Sequence, residues 1–520
     1  MADDILKTLE GIVGKEKVKS DDLWRKIYGR DASYYSIEPE CVVRPDTPEQ
    51  VEQIIALAAR NGKHITFRCG GTSLCGQTLG TGIICELRGG MRRSEVRDQG
   101  KRIWFEPGLT VREVNGILRP SHAKIGPDPA SSRAAMMGGV LSNNLSGMEA
   151  GVKYNSYHTL SSIEFILPNG HRYDTSIDED RKRFVETERE LCDGLMKIRA
   201  EILADDETRN RIIKKYKIKN VTGYAMNSFV DFDNPVDIFS HLLIGSEGTL
   251  AYIVSGELFT QPLYDHYSSC LLYFEDVTKA GAQAHFLGES GALAVEMMDT
   301  RSLRASVPGM TFPDGQTALL IDYGANTNEE LADKIASLRP QLQKLPGLSH
   351  LDDFTTTVAE RARLWQIRDG VFPCVAGARI PGNAVILEDI VAPVEDLDKL
   401  VDGTQAVFKK HGYEGAIFGH ARDGNIHPLV TPDIDSADAN ETFKRFMEDL
   451  VETVLKLDGS LKGEHGTGRA MAPFVSREWG DKIYDMMKRI KKLADPDGIL
   501  NPGVIINDDP MAFIRPMKSH

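Results

Sequence analysis

The stretch Arg68-Cys-Gly-Gly-Thr-Ser-Leu-Cys-Gly-Gln-Thr78 constrains this chain more than any other. The spacing Gly71-x-x-x-x-Gly76 frees the backbone to wrap an anion. Glycine accepts positive φ and, lacking Cβ, lets a phosphate rest against main-chain N–H groups. Thr72, Ser73 and Thr78 add hydroxyl donors, and Arg68 adds a planar cation suited to phosphate. The stretch nearly spells the G-x-x-x-x-G-K-[ST] loop, but Gln77 stands where that motif needs its lysine. This points away from triphosphate hydrolysis and toward pyrophosphate binding. From spacing alone, a Gly-rich surface turn is an equal alternative.

The flanking pattern sets the fold around that loop. Residues 1–35 read as a helical preface, and Cys41-Val-Val-Arg-Pro45 as a short strand. Thr47 suits a helix N-cap, Pro48 the first helical position, and Gln50 completes a capping box. Val51, Ile54, Ile55 and Ala58 share one helical face, and Gly62 ends it. Ile65-Thr-Phe67 is a strand running into the loop, and Gly82–Leu87 is another. The order is β-α-β with the loop between strands, unlike the strand–G-x-G-x-x-G–helix order of a Rossmann unit. Thr110–Glu113 is a second capping box. Gly126–Ser132 holds too many prolines for regular structure. Met137–Gly147 is composed to line a planar ligand, or to form a helix and loop packed closely through glycines. Leu160–Leu167 with Pro168-Asn-Gly170 reads as a strand and hairpin turn, and 176–215 as charged, mostly solvent-facing helix. Leu242–Leu250 is a strand entering a Gly-bracketed turn. Beyond a boundary near 262, the strand-like segments 270–274, 318–323, 385–391 and 416–420 alternate with the helical segments 278–287, 328–345, 394–411 and 437–457. The expected units are 1–35, 36–262, 263–505 and a tail 506–520.

Composition narrows the function classes. A chain of 520 residues fits two or three domains, and its net charge of -14 argues against nucleic-acid binding. It has no apolar run of about 18 residues, so no transmembrane helix is expected. The acidic Met1-Ala-Asp-Asp start lacks a signal-peptide pattern. A cytoplasmic location is expected, free or peripheral at the inner membrane face. The seven cysteines are scattered without a C-x-x-C pair, so reduced thiols are expected and no iron–sulfur cluster within this chain.

The chemistry-bearing residues cluster late. His420 and His427 flank the turn sequence Asp423-Gly424-Asn425. If the chain reverses there, the imidazoles meet across a hairpin as half of a site for zinc or another divalent ion. Glu464, in Gly463-Glu-His-Gly-Thr-Gly468, can supply a third ligand and leave an open position, with His465 free as a base. The alternative is hydrogen-bonded loop histidines. Arg368, behind Trp365, can clamp a carboxylate or simply be an exposed helical arginine. Glu388-Asp389 reads as an acid/base pair or a solvated strand end.

Several motifs together resemble a known family. Arg68–Gln77, Gly138-Gly139 with Ser142-Asn-Asn144, and Gly245-Ser-Glu-Gly-Thr249 are similar to the FAD-binding domain of the vanillyl-alcohol-oxidase/PCMH flavoproteins. Trp365-x-x-Arg368, Gly419-His-x-x-Asp-Gly-Asn-x-His427, Gly463-Glu-His-Gly-x-Gly468 and Leu500-Asn-Pro-Gly503 are similar to the FAD-linked oxidase C-terminal domain. Val140–Asn144, Asn155–Thr159, Ile417–His420 and Glu464–Arg469 most resemble the FAD-dependent D-lactate dehydrogenases of the Dld-II type. The resemblance covers residues 35–506. It implies an α+β fold: a PCMH-type FAD-binding domain of two α/β subdomains, then an α/β substrate (cap) domain.

The implied chemistry is oxidation of a D-2-hydroxyacid, D-lactate to pyruvate first, with D-2-hydroxyglutarate or glycolate as alternatives. A flavoprotein subunit of a larger electron-transfer complex is a further alternative. The resemblance places the FAD pyrophosphate on Arg68, Gly70, Gly71, Thr72, Ser73, Gly76 and Gln77. It adds Pro129, Gly138, Gly139, Ser142, Asn143, Gly147, Gly245, Glu247, Gly248, Thr249, Ile253 and Asn501 as cofactor contacts. A divalent ion, zinc first with manganese or iron as alternatives, is implied on His420, His427 and Glu464. His465 is the implied base, and Arg368 and Asn425 orient the substrate carboxylate. No histidine lies between His64 and His122, where some relatives link flavin covalently, so FAD is expected to be non-covalent. Implied acceptors are an iron–sulfur subunit, an electron-transfer flavoprotein or quinone, and homo-oligomerisation is open. Two departures stand out. Arg422 replaces a glycine, as a cation for a second substrate carboxylate or facing solvent. The cysteine-rich iron–sulfur region of Dld-II relatives is absent, which fits a truncated chain, clusters on a partner subunit or a shorter self-sufficient enzyme.

Overall fold

The structure is a computed structural model that describes residues 3–434, 438–515 and 517. It is α+β, built on three sheets. The first follows the sequence pattern closely. Thr47 caps the helix Pro48–Arg60 by accepting the Gln50 N–H. The Gln50 side chain returns its bond one residue further back than expected, to the Asp46 N–H. The helix connects Cys41–Val43 to Ile65–Arg68, and both strands lie parallel to Ile83–Glu86 between them. Val18–Lys19 adds an antiparallel edge. The preface helix Asp3–Val13 packs Ile5, Leu9 and Val13 into the core under this sheet.

The second sheet is antiparallel and centres on the long strand Tyr252–Pro262. Leu160–Ile166 pairs on one side of it, and Arg102–Phe105 on the other. Leu160–Ile166 turns through Gly170 (φ 85°) into Arg172–Asp174, as the turn sequence demands. The segment 176–215 is helical as expected but not merely solvent-facing. Leu191, Cys192, Leu195, Ile198 and Ile202 on Arg189–Leu203 are buried at helical spacing.

The third sheet has eight strands and carries the candidate chemistry. Its pleat separates two cores: Cys270, Leu272 and Phe274 point to one, and Leu271 and Tyr273 to the other. Helices Leu397–His411 and Ala439–Lys456 cover the first, and Val358–Gly377 the second. The helix expected over 437–457 begins at Ala439, and Ala437 lies outside the described residues. The strand expected over 385–391 is two short pieces, Ile386–Leu387 and Ile390–Val391. Glu388 and Asp389 interrupt it and are buried, not solvated.

The chain does not stay within the expected 263–505 unit. The helix Asp481–Ala494 buries Ile483, Tyr484, Met486, Met487 and Ile490 in the core of the second sheet. Ile499 and Leu500 then join the core of the first sheet, where the Ile65 N–H donates to the Ile499 carbonyl at 2.8 Å. In exchange, Tyr34 and Tyr35 enter the core of the third sheet beside Phe443 and Phe513. Among the described residues, no helix is long and apolar enough to cross a membrane.

Candidate active site

The hairpin forms as the turn sequence predicts. Ala416–His420 and Asn425–Val430 pair antiparallel with Phe418 opposite His427. Gly424, at φ 67°, takes the left-handed turn position. His420 lies two residues beyond Phe418 and so shares a face with His427. Their ring centroids are 5.0 Å apart.

Glu464 comes to them from the Gly-rich turn. Its Oε1 lies 2.9 Å from His420 Nε2 and 3.7 Å from His427 Nε2. Its Oε2 accepts from Gly147 N at 2.7 Å, Ser146 Oγ at 3.0 Å and Lys219 Nζ at 3.2 Å. His420 Nδ1 lies 2.8 Å from Glu296, which orients the ring as an outer carboxylate orients a metal-bound imidazole. With the Nδ1 proton given to Glu296, His420 Nε2 and Glu464 Oε1 are both acceptors. Two acceptors at 2.9 Å need a cation or a proton between them. Without a metal the proton fills that role. Burial opposes it, but the Glu296 and Glu464 carboxylates raise His420 to about 9. Ligand atoms of His420, His427 and Glu464 all lie within 4.8 Å of one another, so this donor set fits a divalent ion.

Asp389 holds the turn in place. Its Oδ2 accepts the backbone N–H groups of Gly463, Glu464 and His465 at 2.7–3.0 Å, and its Oδ1 accepts from Asn425 Nδ2 at 2.8 Å. A second group of donors, Asp389, His427 and His465, is also close together. With four N–H donors on it, Asp389 is the acceptor that shapes the turn. Its carboxyl is held well below the usual range: burial works against the charge, but the positive charge near it, the Lys462 ammonium included, outweighs it. His465 stacks on His427 with centroids 4.7 Å apart. Burial pushes its pKa down, favouring the neutral ring, and its Nδ1 has no hydrogen-bond partner among the described residues.

His420, His427, Glu464 and His465 line a cavity of about 420 Å³, with Arg368, Phe372, Leu387 and Phe418. Its far wall is Gly71, Thr72, Ser73, Asn143 and Leu145. The same five residues also line a second cleft, with Gly70, Gln77, Gly138, Gly139, Ser142, Glu247, Gly248 and Ile253. One loop is therefore a partition between two chambers. The partition is tied across: Gln77 Nε2 donates to the His465 carbonyl at 2.9 Å, and Glu247 accepts the N–H groups of Thr467 and Gly468. The cleft suits a flat cofactor. A Cβ on Gly139 would meet only Cys69 at 3.8 Å and would otherwise project into open space.

Not every expected residue faces its expected ligand. Arg68 turns away from the cleft: it donates to the carbonyls of Tyr28 and Arg30 and sits over the Tyr28 ring, so it anchors the N-terminal segment. Gly76 is packed against Tyr35, where a Cβ would fall 2.4 Å from the ring. Pro129 lines the histidine cavity and not the cleft. Gly147 gives its N–H to Glu464. Gly245 donates to Leu141, and Thr249 to Ser246, so both shape the turn from behind. Asn501 staples two lining segments by donating to the carbonyls of Gln77 and Glu247. Asn425 is buried beside Asp389 and Ile390 and does not reach the cavity. Arg368 does, with its Nε held by Glu296 at 2.6 Å. Arg422 neither lines the cavity nor faces solvent. It bonds the carbonyls of Leu293 and Glu149 and stitches the two halves together.

Sequence reading missed Glu296 and Lys219 and left Asp389 ambiguous. For Glu296 there was a signal, a single acid inside the apolar strand Ala294–Met298. The apolar cleft residues Phe67, Leu87, Pro107 and Tyr252 gave none, being ordinary core types.

Comparison with known proteins agrees with this architecture. The FAD binding domain model matches residues 39–176, and the model for FAD linked oxidases, C-terminal domain, matches 265–505. The chain is 23% identical to the glycolate oxidase subunit GlcD of Bacillus subtilis, over 97% of each chain. It is 24% identical to a D-2-hydroxyglutarate dehydrogenase of Haemophilus influenzae, over 94% of this chain but only 50% of that longer one. It is 25% identical to a mitochondrial D-lactate dehydrogenase [cytochrome] of Arabidopsis thaliana, over 90% of this chain and 73% of that one. The fold of p-cresol methylhydroxylase superposes with a TM-score of 0.68 at 13% identity, over 97% of this chain and 96% of that one. The chain belongs to the FAD-linked oxidases, an oxidoreductase with the FAD-binding domain and the C-terminal domain of that family in one polypeptide.

Proposed function

We propose that this oxidoreductase oxidises a D-2-hydroxyacid, with D-lactate as the simplest substrate. One observation carries the reading. His465, Arg368 and the His420/His427/Glu464 set open onto a cavity whose far wall, Gly71–Ser73, is also a wall of the cofactor cleft. FAD, when bound, supplies the hydride acceptor, and a divalent ion, zinc first, on His420, His427 and Glu464 supplies charge that acidifies the α-hydroxyl. His465, kept neutral by burial, takes the hydroxyl proton. The Arg368 guanidinium, steered by Glu296, holds the carboxylate. Asp389 fixes the backbone of the turn so that His465 keeps its aim, with Asn425 fixing Asp389 in turn. No histidine is among the described residues lining the cleft, which supports FAD held without the histidine link of some relatives. Reoxidation is by an iron–sulfur or electron-transfer flavoprotein partner, or by quinone.

The test is an anaerobic absorbance titration of the holoprotein with D-lactate, expected to bleach the flavin. An unbleached spectrum with D-lactate, D-2-hydroxyglutarate and glycolate alike would sink the reading. Chelator treatment is expected to suppress the bleaching and a divalent ion to restore it. Indifference to chelator together with no metal by elemental analysis would remove the ion from the scheme.

A further inference from the structure

The wall of the substrate cavity carries information beyond the reaction class. Arg368 and Phe372 are four apart on the helix Val358–Gly377, so they share a face and both line the cavity. Among the described residues lining it, Arg368 is the sole lysine or arginine. Its Nε is committed to Glu296, which leaves its terminal nitrogens for one carboxylate. The rest of the wall on that side is apolar: Leu74, Phe372, Pro373, Leu387 and Phe418. The other ionisable lining residue on that helix is an acid, Asp369. Arg422, the remaining candidate for a second carboxylate, is spent on the Leu293 and Glu149 carbonyls and the neighbouring Asp423.

A second substrate carboxylate would therefore sit against hydrocarbon with no lining cation to meet it and Asp369 to repel it; Arg133 lies within reach of the Asp369 charge but does not line the cavity. Burying an unpaired charge in this way is strongly unfavourable. The methyl of lactate, conversely, covers little of an apolar wall formed by five side chains. Side-chain carbons that leave water for that wall contribute binding that a methyl cannot.

We propose that the preferred substrate is a D-2-hydroxy monocarboxylate with an apolar side chain larger than methyl, and that dicarboxylates are excluded. This rests on the reaction proposed above. Arg368 reads the carboxylate, and Phe372, Leu387 and Leu74 read the side chain.

The test is anaerobic flavin reduction of the holoenzyme by glycolate, D-lactate, D-2-hydroxy-4-methylpentanoate, D-3-phenyllactate and D-2-hydroxyglutarate. Second-order rate constants for the branched or aryl acid are expected to exceed that for D-lactate by about 10- to 200-fold, the discrimination an apolar pocket gives. D-2-hydroxyglutarate is expected at or below glycolate. Reduction fastest with D-lactate or D-2-hydroxyglutarate would overturn the substrate class while leaving the reaction intact. Reduction by none of the five would overturn both. Phe372→Ala should lower the constant for D-3-phenyllactate about tenfold more than that for D-lactate. Equal losses for the two acids would overturn the role given to Phe372. Leu387→Arg should bring D-2-hydroxyglutarate up relative to wild type, and no gain there would count against the missing-cation argument.

Discussion

The resemblance gives His465 the substrate's proton and Asn425 its carboxylate, yet the two stand in different places. His465 faces the cavity, stacked on His427, while Asn425 is enclosed behind the turn with its amide on Asp389. Their substitution should therefore fail differently. His465→Ala is expected to slow flavin reduction by about 10²–10⁴-fold, the range for a lost general base, with FAD retained and thermal stability little changed. Asn425→Ala leaves a buried carboxylate one donor short and is expected to cost about 1–3 kcal/mol of stability, with activity falling as the turn loosens. Single-turnover reduction and thermal unfolding of the two proteins distinguish the cases. A His465→Ala protein that reduces its flavin at the wild-type rate would remove the base assignment. The contrast also shows why the roles of buried asparagines were hard to read from spacing. Asn425 lies in a turn signal, and nothing local says which way its amide faces.

At the scale of elements, the Gly-rich turn 463–468 is what joins the two chambers. Its glycines are demanded by geometry: Gly466 has φ 84° and Gly468 φ 57°. A Cβ on Gly468 would lie 2.3 Å from the Cys75 carbonyl oxygen, in the loop that partitions the chambers. Gly412 also has positive φ, 68°, but a Cβ there meets nothing. Gly412→Ala should cost only the left-handed penalty of about 1–2 kcal/mol. Gly468→Ala should cost that and also displace the 68–78 loop, so the purified protein should lose FAD. Flavin content per chain checks this, and full occupancy in Gly468→Ala would contradict it. The same element shows what sequence could deliver. The hairpin bearing His420 and His427 was legible because Asp423-Gly424-Asn425 is a strong turn code flanked by strand residues. The approach of Glu464 was legible only as chemistry, since no spacing rule brings together residues 44 apart. Glu296 is marked by its place inside an apolar strand, but it lies 124 positions from the histidine that it orients, and that partnership appears only once the strands have paired.

At the scale of the whole molecule, the chain order of the domains is not their packing order. The N-terminal Tyr34 and Tyr35 lie in the core of the third sheet, while the late helix Asp481–Ala494 and Trp479 lie in the core of the second. A boundary drawn near 262 follows the alternation of elements but cannot detect an amphipathic helix that crosses back, because its apolar face does not declare its partner. Trp479 is 1% exposed, and its indole N–H donates to the Thr222 carbonyl at 2.7 Å, which ties the return segment to the stretch that carries Lys219 to Glu464. With Tyr34 and Tyr35 packed in one core and the segment from Trp479 to Ala494 in the other, the two cores are expected to unfold together. Calorimetry of the holoprotein is expected to give one cooperative transition, not two. Trp479→Ala, at about 3–5 kcal/mol for a buried aromatic, is expected to move that whole transition down. Since Trp479 touches neither chamber, reduction kinetics well below the new transition should remain close to wild type. Two resolved transitions, or a Trp479→Ala protein in which only part of the heat absorption shifts, would show that the halves are energetically separate despite their interleaved cores.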